Sequence, residues 1–245
     1  MDKSIITSGT ALFALLISPF SSVLADRLGR KQVLIYADIL FILGAAIQAL
    51  CSTVPLMVVG RCIIGAGVGA ASFVVPLYIT EIAPASHRGM LVTTNVMFIT
   101  LGQVVAYIVG WVFATFGSQA TGWRWMVGLG GLPAVLQCIL VAYMPETPRW
   151  LVKAGRSADA KAVIHKVNGS TATSLQDTEA IVKAIEIEVR EEQEASRLLE
   201  SRRTGAKWLR TWYELVGDAK NRRSLAIACL LQGLQQLCGF VSALP

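Results

Sequence analysis

Charged residues are absent from long stretches of this chain, and no other feature limits its fold so tightly. Residues 4–25, 62–80, 89–123, 125–145 and 224–245 hold no Asp, Glu, Lys or Arg, and residues 32–60 hold only Asp38. A helix that crosses a bilayer needs about 20 mostly apolar residues. Six spans are therefore expected, at about 5–25, 33–53, 56–80, 91–115, 124–145 and 223–244. The stretch 89–123 is too long for one span and should break at the Gly/Ser/Thr cluster 117–122. A soluble all-helical bundle is the competing reading. It fails because six such stretches need a core larger than one domain of this length can close over.

The charges gather instead in residues 146–223, which carry 27 of the chain's 38. Overall 16% of residues are charged and 54% are hydrophobic. Soluble domains carry about 25% charge, so the balance excludes a disordered chain, a collagen-like chain and a basic nucleic-acid binder. The first span has no strongly basic leader and runs at once into another span, which argues against a cleaved signal peptide. Lys and Arg mark cytoplasmic loops. Arg27, Arg30 and Lys31, then Arg88, then residues 146–222 form the rich set, against loops near 52–55 and 116–123 with none. That orientation puts Met1 outside, and the last span finishes as the chain stops at Pro245. Both ends are expected to be cuts in a longer protein.

Five cysteines at 51, 62, 138, 229 and 238 lie in or beside spans without metal-ligand spacing. They read as small buried apolar residues. His87 and His165 belong to no motif, and no metal or cofactor site is expected. In the polar stretch, Ser157 can cap a helix to about Val167. Ser174 with Asp177 resembles a capping box opening a helix to about Arg202. Ile181, Ile185 and Val189 repeat at four-residue spacing on that helix. A third short helix is expected over 206–216. These helices should form an amphipathic pad under the membrane bundle, with Trp208, Trp212 and Tyr213 at its apolar or interfacial side, while a solvated charge-rich face is the plain alternative.

Several polar positions stand out against this background. Asp26-Arg-Leu-Gly-Arg-Lys31 makes a tight turn whose charges can hold neighbouring helices by ion pairs. Glu81 and Arg88, and Glu146 and Arg149, each put a carboxylate and an arginine at the same membrane edge, where they can form one network. None of these acids has a nucleophile, base or metal ligand beside it, so no enzyme chemistry is expected. Arg61 lies one turn inside a span. A charge there usually faces a bundle interior or water and needs a partner, and no acid in this chain is an obvious one. Snorkelling to the outer interface is the plainer alternative. The run Gly65-Ala-Gly-Val-Gly69 has no strand before it and reads as close helix packing rather than a phosphate loop. Gln103, Gln235 and Gln236 lie in spans, where amides need partners. An amide offers two donors and an acceptor, suited to polyol hydroxyls, while helix–helix hydrogen bonding is the plain alternative.

The ordered set "DRLGRK", "GRCIIGAGVGAASFVVPLYITEIAP", "RG", "GQ", "GWRWMVGLGGLPA", "PETPRWL" and "GLQQLCGF" resembles the sugar porter family of the major facilitator superfamily, from about residue 5 to 240. Within that family it is most similar to fungal myo-inositol transporters. The resemblance implies an all-α integral membrane bundle, here a partial major facilitator fold of about six spans with a cytoplasmic helical linker. It matches the family's second to seventh spans, leaving out the first and the last five. The implied domains are an N-terminal transmembrane half (1–145), the linker (146–222) and the first span of an incomplete C-terminal half (223–245).

The resemblance further implies a proton-coupled carrier of sugar or polyol in the plasma membrane, working by alternating access. Gln103, Gln235 and Gln236 would bind substrate. Arg61 would take part in proton coupling opposite an acid on the family's first span. Asp26, Arg30, Glu81, Arg88, Glu146 and Arg149 would latch the cytoplasmic side. Three positions depart from the pattern: Ser22 replaces a Gly, Val96 a sugar-binding Gln, and Val241 a ligand-binding Asn. The loss at Val96 weakens a hexose reading and suits an inositol one. The chain alone is expected not to transport. Its partners would be the substrate, protons and the lipid bilayer, with no nucleic acid. A hexose or pentose carrier fragment, and a regulatory or sensor-like membrane protein that pairs with a full-length carrier, are the alternatives.

Overall fold

A computed structural model describes residues 2–84, 86–116, 122–168 and 175–201, together with 222, 223, 226, 227, 229, 230 and 234. Among the described residues there is helix and no strand. The helices are α1 (Asp2–Leu28), α2 (Arg30–Leu50), α3 (Val54–Ile82), α4 (Arg88–Phe116), α5 (Gly122–Leu129), α6 (Gly131–Tyr143), α7 (Pro148–Lys153), α8 (Ser157–Asn168) and α9 (Leu175–Ser201). Among the described residues five segments are long and apolar enough to cross a membrane: Ser8–Leu28, Arg30–Leu50, Val54–Ile82, Arg88–Thr115 and Gly122–Tyr143. They coincide with the first five charge-poor stretches. The last of them is α5 and α6 in series, interrupted at Gly130, whose N–H reaches back to the Val127 carbonyl at 3.1 Å. The sixth expected span, 223–244, lies almost entirely outside the described residues.

The chain forms two compact units, Met1–Val189 and Arg190–Pro245. In the first, α3 is the centre: α1 and α2 pack along it, and α2 also packs on α5 and α6. Helices in lipid gain no hydrophobic drive from one another, so small residues must bring their backbones close. Gly65 and Gly69 do this on the α1 side, where a Cβ would collide with the Thr10 and Ala14 carbonyls. The glycine run is thus a packing seam, as its spacing suggests. Ala25, Val33, Leu34, Ala37, Ala70, Val74, Tyr78 and Val141 close the core toward the charged end of the bundle. Over residues 88–115 no residue of α4 is buried.

Helices α7, α8 and α9 have a small core of their own, built on Leu151, Val152, Ala160, Val163, Ile164, Val182 and Val189. The buried face of α9 differs from the four-residue spacing expected of it. The buried face of α9 runs through Thr178, Val182 and Val189 with Ile185 partly buried, while Ile181 is exposed. A strict four-residue spacing advances about 400° per step and drifts around the helix, whereas mixed steps of four and three hold one face. Ser157 begins α8 but its hydroxyl donates to Glu186 Oε1 at 2.8 Å instead of capping the helix backbone. Of the described cysteines only Cys51 is buried; Cys62 and Cys138 are partly covered and Cys229 is exposed. A thiol is apolar enough to sit on a lipid-facing surface, so position in a span did not imply burial. The expected helix over 206–216, the Ser174 side chain and Cys238 lie outside the described residues. In the second unit the described residues are the end of α9 and short helical pieces between 222 and 234.

Candidate functional site: the charged end of the bundle

The site begins at a glycine. Gly29 joins α1 to α2 with φ of 101°, a conformation that costs other residues strain. A Cβ on Gly29 would run into the Glu146 carboxylate. The missing side chain lets Glu146, at the corner after α6, reach the free N–H groups that begin α2. Its Oε1 accepts from the backbone N–H of Arg30 at 3.0 Å and of Lys31 at 3.2 Å, and also from Thr147 at 3.0 Å. A carboxylate here meets both orphan donors and the positive end of the helix dipole. Lys31 returns the link by donating its Nζ to the Ala142 carbonyl at 2.8 Å. Tyr78 on α3 donates to the Pro145 carbonyl at 2.7 Å.

Arg30 turns inward from the same helix end. Its Nη1 donates to the Ala25 carbonyl at 3.1 Å, and its Nη2 lies 2.9 Å from Glu81 Oε1 and 3.3 Å from Asp26 Oδ1. Lys153 on α7 pairs with Asp26 at 3.4 Å, and Trp150 Nε1 donates to the Asp26 carbonyl at 3.3 Å. One cluster thus joins α1, α2, α3 and α7. Arg149 pairs instead with Glu188 on α9 at 3.7 Å. Arg88 makes no ion pair among the described residues, but it lines, with Glu81, Arg149 and Glu188, a groove of about 450 Å³ between the bundle end and α7–α9. The buried Oε2 of Glu81 has no hydrogen-bond partner among the described residues.

The six residues expected to form one network therefore divide. Asp26, Arg30 and Glu81 meet directly, Glu146 caps α2 beside them, and Arg88 and Arg149 flank the groove. Lys31, Tyr78, Trp150 and Lys153 also belong here. Lys31 stood in the quoted loop motif, while the tryptophan and tyrosine act through polar tips that no spacing rule exposes. Arg61 lies elsewhere on α3, with its Nε buried and unpartnered among the described residues. Gln103 is exposed on α4. Gln235 and Gln236 lie outside the described residues. Gln48, buried on α2 against Gly60, escaped the sequence reading; its place in the stripe Gly44, Ala45, Gln48 was the available signal.

A model of the family described as "Sugar (and other) transporter" matches residues 1–244. The chain belongs to this sugar transporter family. It is 40% identical over 239 residues to myo-inositol transporter 1 of Cryptococcus neoformans, covering 98% of this chain and 40% of that protein. It is 34% identical to the proton myo-inositol cotransporter hmit-1.2 of Caenorhabditis elegans, covering 97% and 37% of the two. Among solved structures it resembles the proton:xylose symporter XylE bound to 6-bromo-6-deoxy-D-glucose, with a TM-score of 0.71 and 29% identity over 80% of this chain and 45% of that one. XylE is a major facilitator protein, and this sugar-transporter chain shares its helical fold. The chain spans about 40% of the length of the curated relatives it matches. These relatives are transporters.

Proposed function

We propose that this chain is part of a proton-coupled polyol carrier of the plasma membrane, with myo-inositol as substrate. The observation that carries the reading is the 40% identity to a myo-inositol transporter along 98% of the chain. The likeness to hmit-1.2, a proton cotransporter, and to XylE, a proton symporter, supports the coupling. Arg61 is the residue assigned to it, since a partly buried arginine whose Nε is covered and unpartnered among the described residues calls for an acid. Gln103, Gln235 and Gln236 are assigned to the hydroxyls of the substrate.

Alternating access rocks two halves around a central site. In that cycle Asp26, Arg30, Glu81, Arg88, Glu146 and Arg149 form the cytoplasmic latch. The Arg30–Glu81 pair and the Glu146 cap hold α1, α2, α3 and the α6–α7 corner together when the cytoplasmic side is closed. The groove beside Arg88 and Arg149 is where that side parts. The uncovered α4 supplies one wall of the route, and the rest of a carrier of the relatives' length closes on it. By itself this chain does not carry solute.

The test is uptake of labelled myo-inositol in cells that lack it. The chain alone should give no saturable uptake. A chimera placing it in the matching part of Cryptococcus neoformans myo-inositol transporter 1 should restore uptake, driven by an inward proton gradient. Saturable uptake by the chain alone overturns its inactivity, and a folded chimera that carries xylose but no inositol overturns the substrate. Xylose is the second reading, favoured by the likeness to XylE.

A further inference from the structure

One ionisable group inside the bundle has no place in the latch or at Arg61. Asp38 sits in the middle of α2 and is 1% exposed. It lies eight residues from Arg30, about 12 Å along the helix, well within a hydrocarbon layer about 30 Å thick. Its Oδ2 is buried without a hydrogen-bond partner, and it joins no ion pair among the described residues.

The surroundings explain why. Asp38 stands two turns from Ala45 on the same side of α2, and Ala45 meets Gly131 of α6. Helix α6 has no acid or base; its titratable groups are Cys138 and the terminal Tyr143. On α5 the cation Arg124 is held at the far end of α2, donating to the Cys51 carbonyl. On α3, Arg61 follows Gly60, which packs against Gln48, ten residues and about 15 Å along α2 from Asp38. Cys62 lies next to it, against Gly9 of α1. At the other end Glu81 is engaged with Arg30 and the Tyr78 hydroxyl with the Pro145 carbonyl. On α1, Asp26 is also paired with Arg30, and Arg27 is beside it at the charged end. On α2 itself Tyr36 is exposed, and Lys31, two turns before Asp38 on the same side, is engaged at the helix start, giving its Nζ to the Ala142 carbonyl. Among the described residues no cation pairs with Asp38.

Ionisable groups so placed are rare in membrane proteins, nearly always find a partner when charged, and mark ion or proton paths. A carboxylic acid has no charge to compensate. We propose that Asp38 is a proton-binding site inside the bundle, distinct from Arg61, whose carboxyl group holds a proton while α2 packs against α6. It gives that proton up only when water or a cation enters the α2–α6 seam. This stands independently of the substrate and of transport.

The test uses the chain in phospholipid vesicles at neutral pH, with dicyclohexylcarbodiimide as the probe. That reagent partitions into lipid and adds the O–H of a protonated carboxylic acid across its C=N bond. Mass spectrometry of the segment between Lys31 and Arg61 should show the adduct on Asp38. The infrared difference between wild type and Asp38→Asn should contain a protonated-acid carbonyl band. The isosteric variant should keep the wild-type helix content, and should it fail to fold, the adduct on the wild type still decides. An unlabelled Asp38 in folded chain, or a difference spectrum with carboxylate bands alone, overturns the proposal.

Discussion

Arg30 Nη2 lies 2.9 Å from Glu81 Oε1, and both side chains are at least nine-tenths buried. The pair ties the start of α2 to the end of α3 inside the core. Its two ends are not equivalent. Arg30 keeps Asp26 and the Ala25 carbonyl if Glu81 is lost. Glu81 keeps no other ion pair among the described residues if Arg30 is lost. Removing one partner of a buried pair costs about 3–5 kcal/mol. Arg30→Ala should therefore destabilise the chain by about that much, and Glu81→Ala by less. The double variant should be less destabilised than the sum of the singles, because the two residues share one interaction. Unfolding midpoints in a mild detergent measure all three. Equal losses for the two single variants would contradict the asymmetry.

The Gly29–Glu146 relation makes a second prediction. Gly29→Ala meets two obstacles, the positive φ and the carboxylate already in the space. Strain at such a φ costs about 1–3 kcal/mol, and displacing Glu146 also strips the N-terminal cap from α2. Glu146→Gln keeps an acceptor and loses the charge, so it should cost less, within the roughly 2 kcal/mol that a charge at a helix end contributes. The order Gly29→Ala worse than Glu146→Gln is the expected result of thermal unfolding. Asp26–Lys153 should add little, since both side chains are more than a third exposed and such pairs contribute about 0–1 kcal/mol.

These relations show where the sequence was legible. Five spans could be read from absent charges, because lipid cannot satisfy a charge and tolerates long apolar runs. The turn at Gly29 and the acids at 81 and 146 could be picked out as unusual at a membrane edge. Which acid met which cation could not, since Glu146 and Arg30 are 116 residues apart and their meeting depends on how α2 crosses α6. The linker misled the spacing argument at Ile181 because a helix face follows steps of 3.6, and Ser157 misled it because a hydroxyl can leave its own helix for a nearby carboxylate.

The α1–α3 seam predicts a contrast between glycines. A Cβ at Gly65 would strike the Thr10 backbone carbonyl and Phe13, and α1 cannot yield without moving as a rod. A Cβ at Gly102, on α4, meets nothing within 4 Å. Overpacking a tight contact costs about 1–3 kcal/mol, whereas Gly to Ala in an open helix position stabilises by about 0.5–1 kcal/mol. Gly65→Ala should lower the unfolding midpoint and Gly102→Ala should raise it or leave it unchanged. Disulfide trapping between cysteines placed on α1 and α3 should slow in the first variant only.

The α7–α9 core predicts a separation between local and deep effects. Ser157 and Glu186 exchange one hydrogen bond, 2.8 Å long and partly buried, between α8 and α9. Ser157→Ala should cost about 0.5–1.5 kcal/mol, the net worth of such a bond, because Glu186 can turn to water. Leu151 is 3% exposed and belongs to the apolar centre of the same three helices. Leu151→Ala should cost about 2–5 kcal/mol through the cavity it leaves. Hydrogen exchange resolved by peptide measures both. In Ser157→Ala, faster exchange should be confined to the start of α8 and the facing turn of α9. In Leu151→Ala it should extend through α7, α8 and the buried face of α9 while α2 and α3 keep their protection. Loss of protection in α3 would mean that the two cores unfold together.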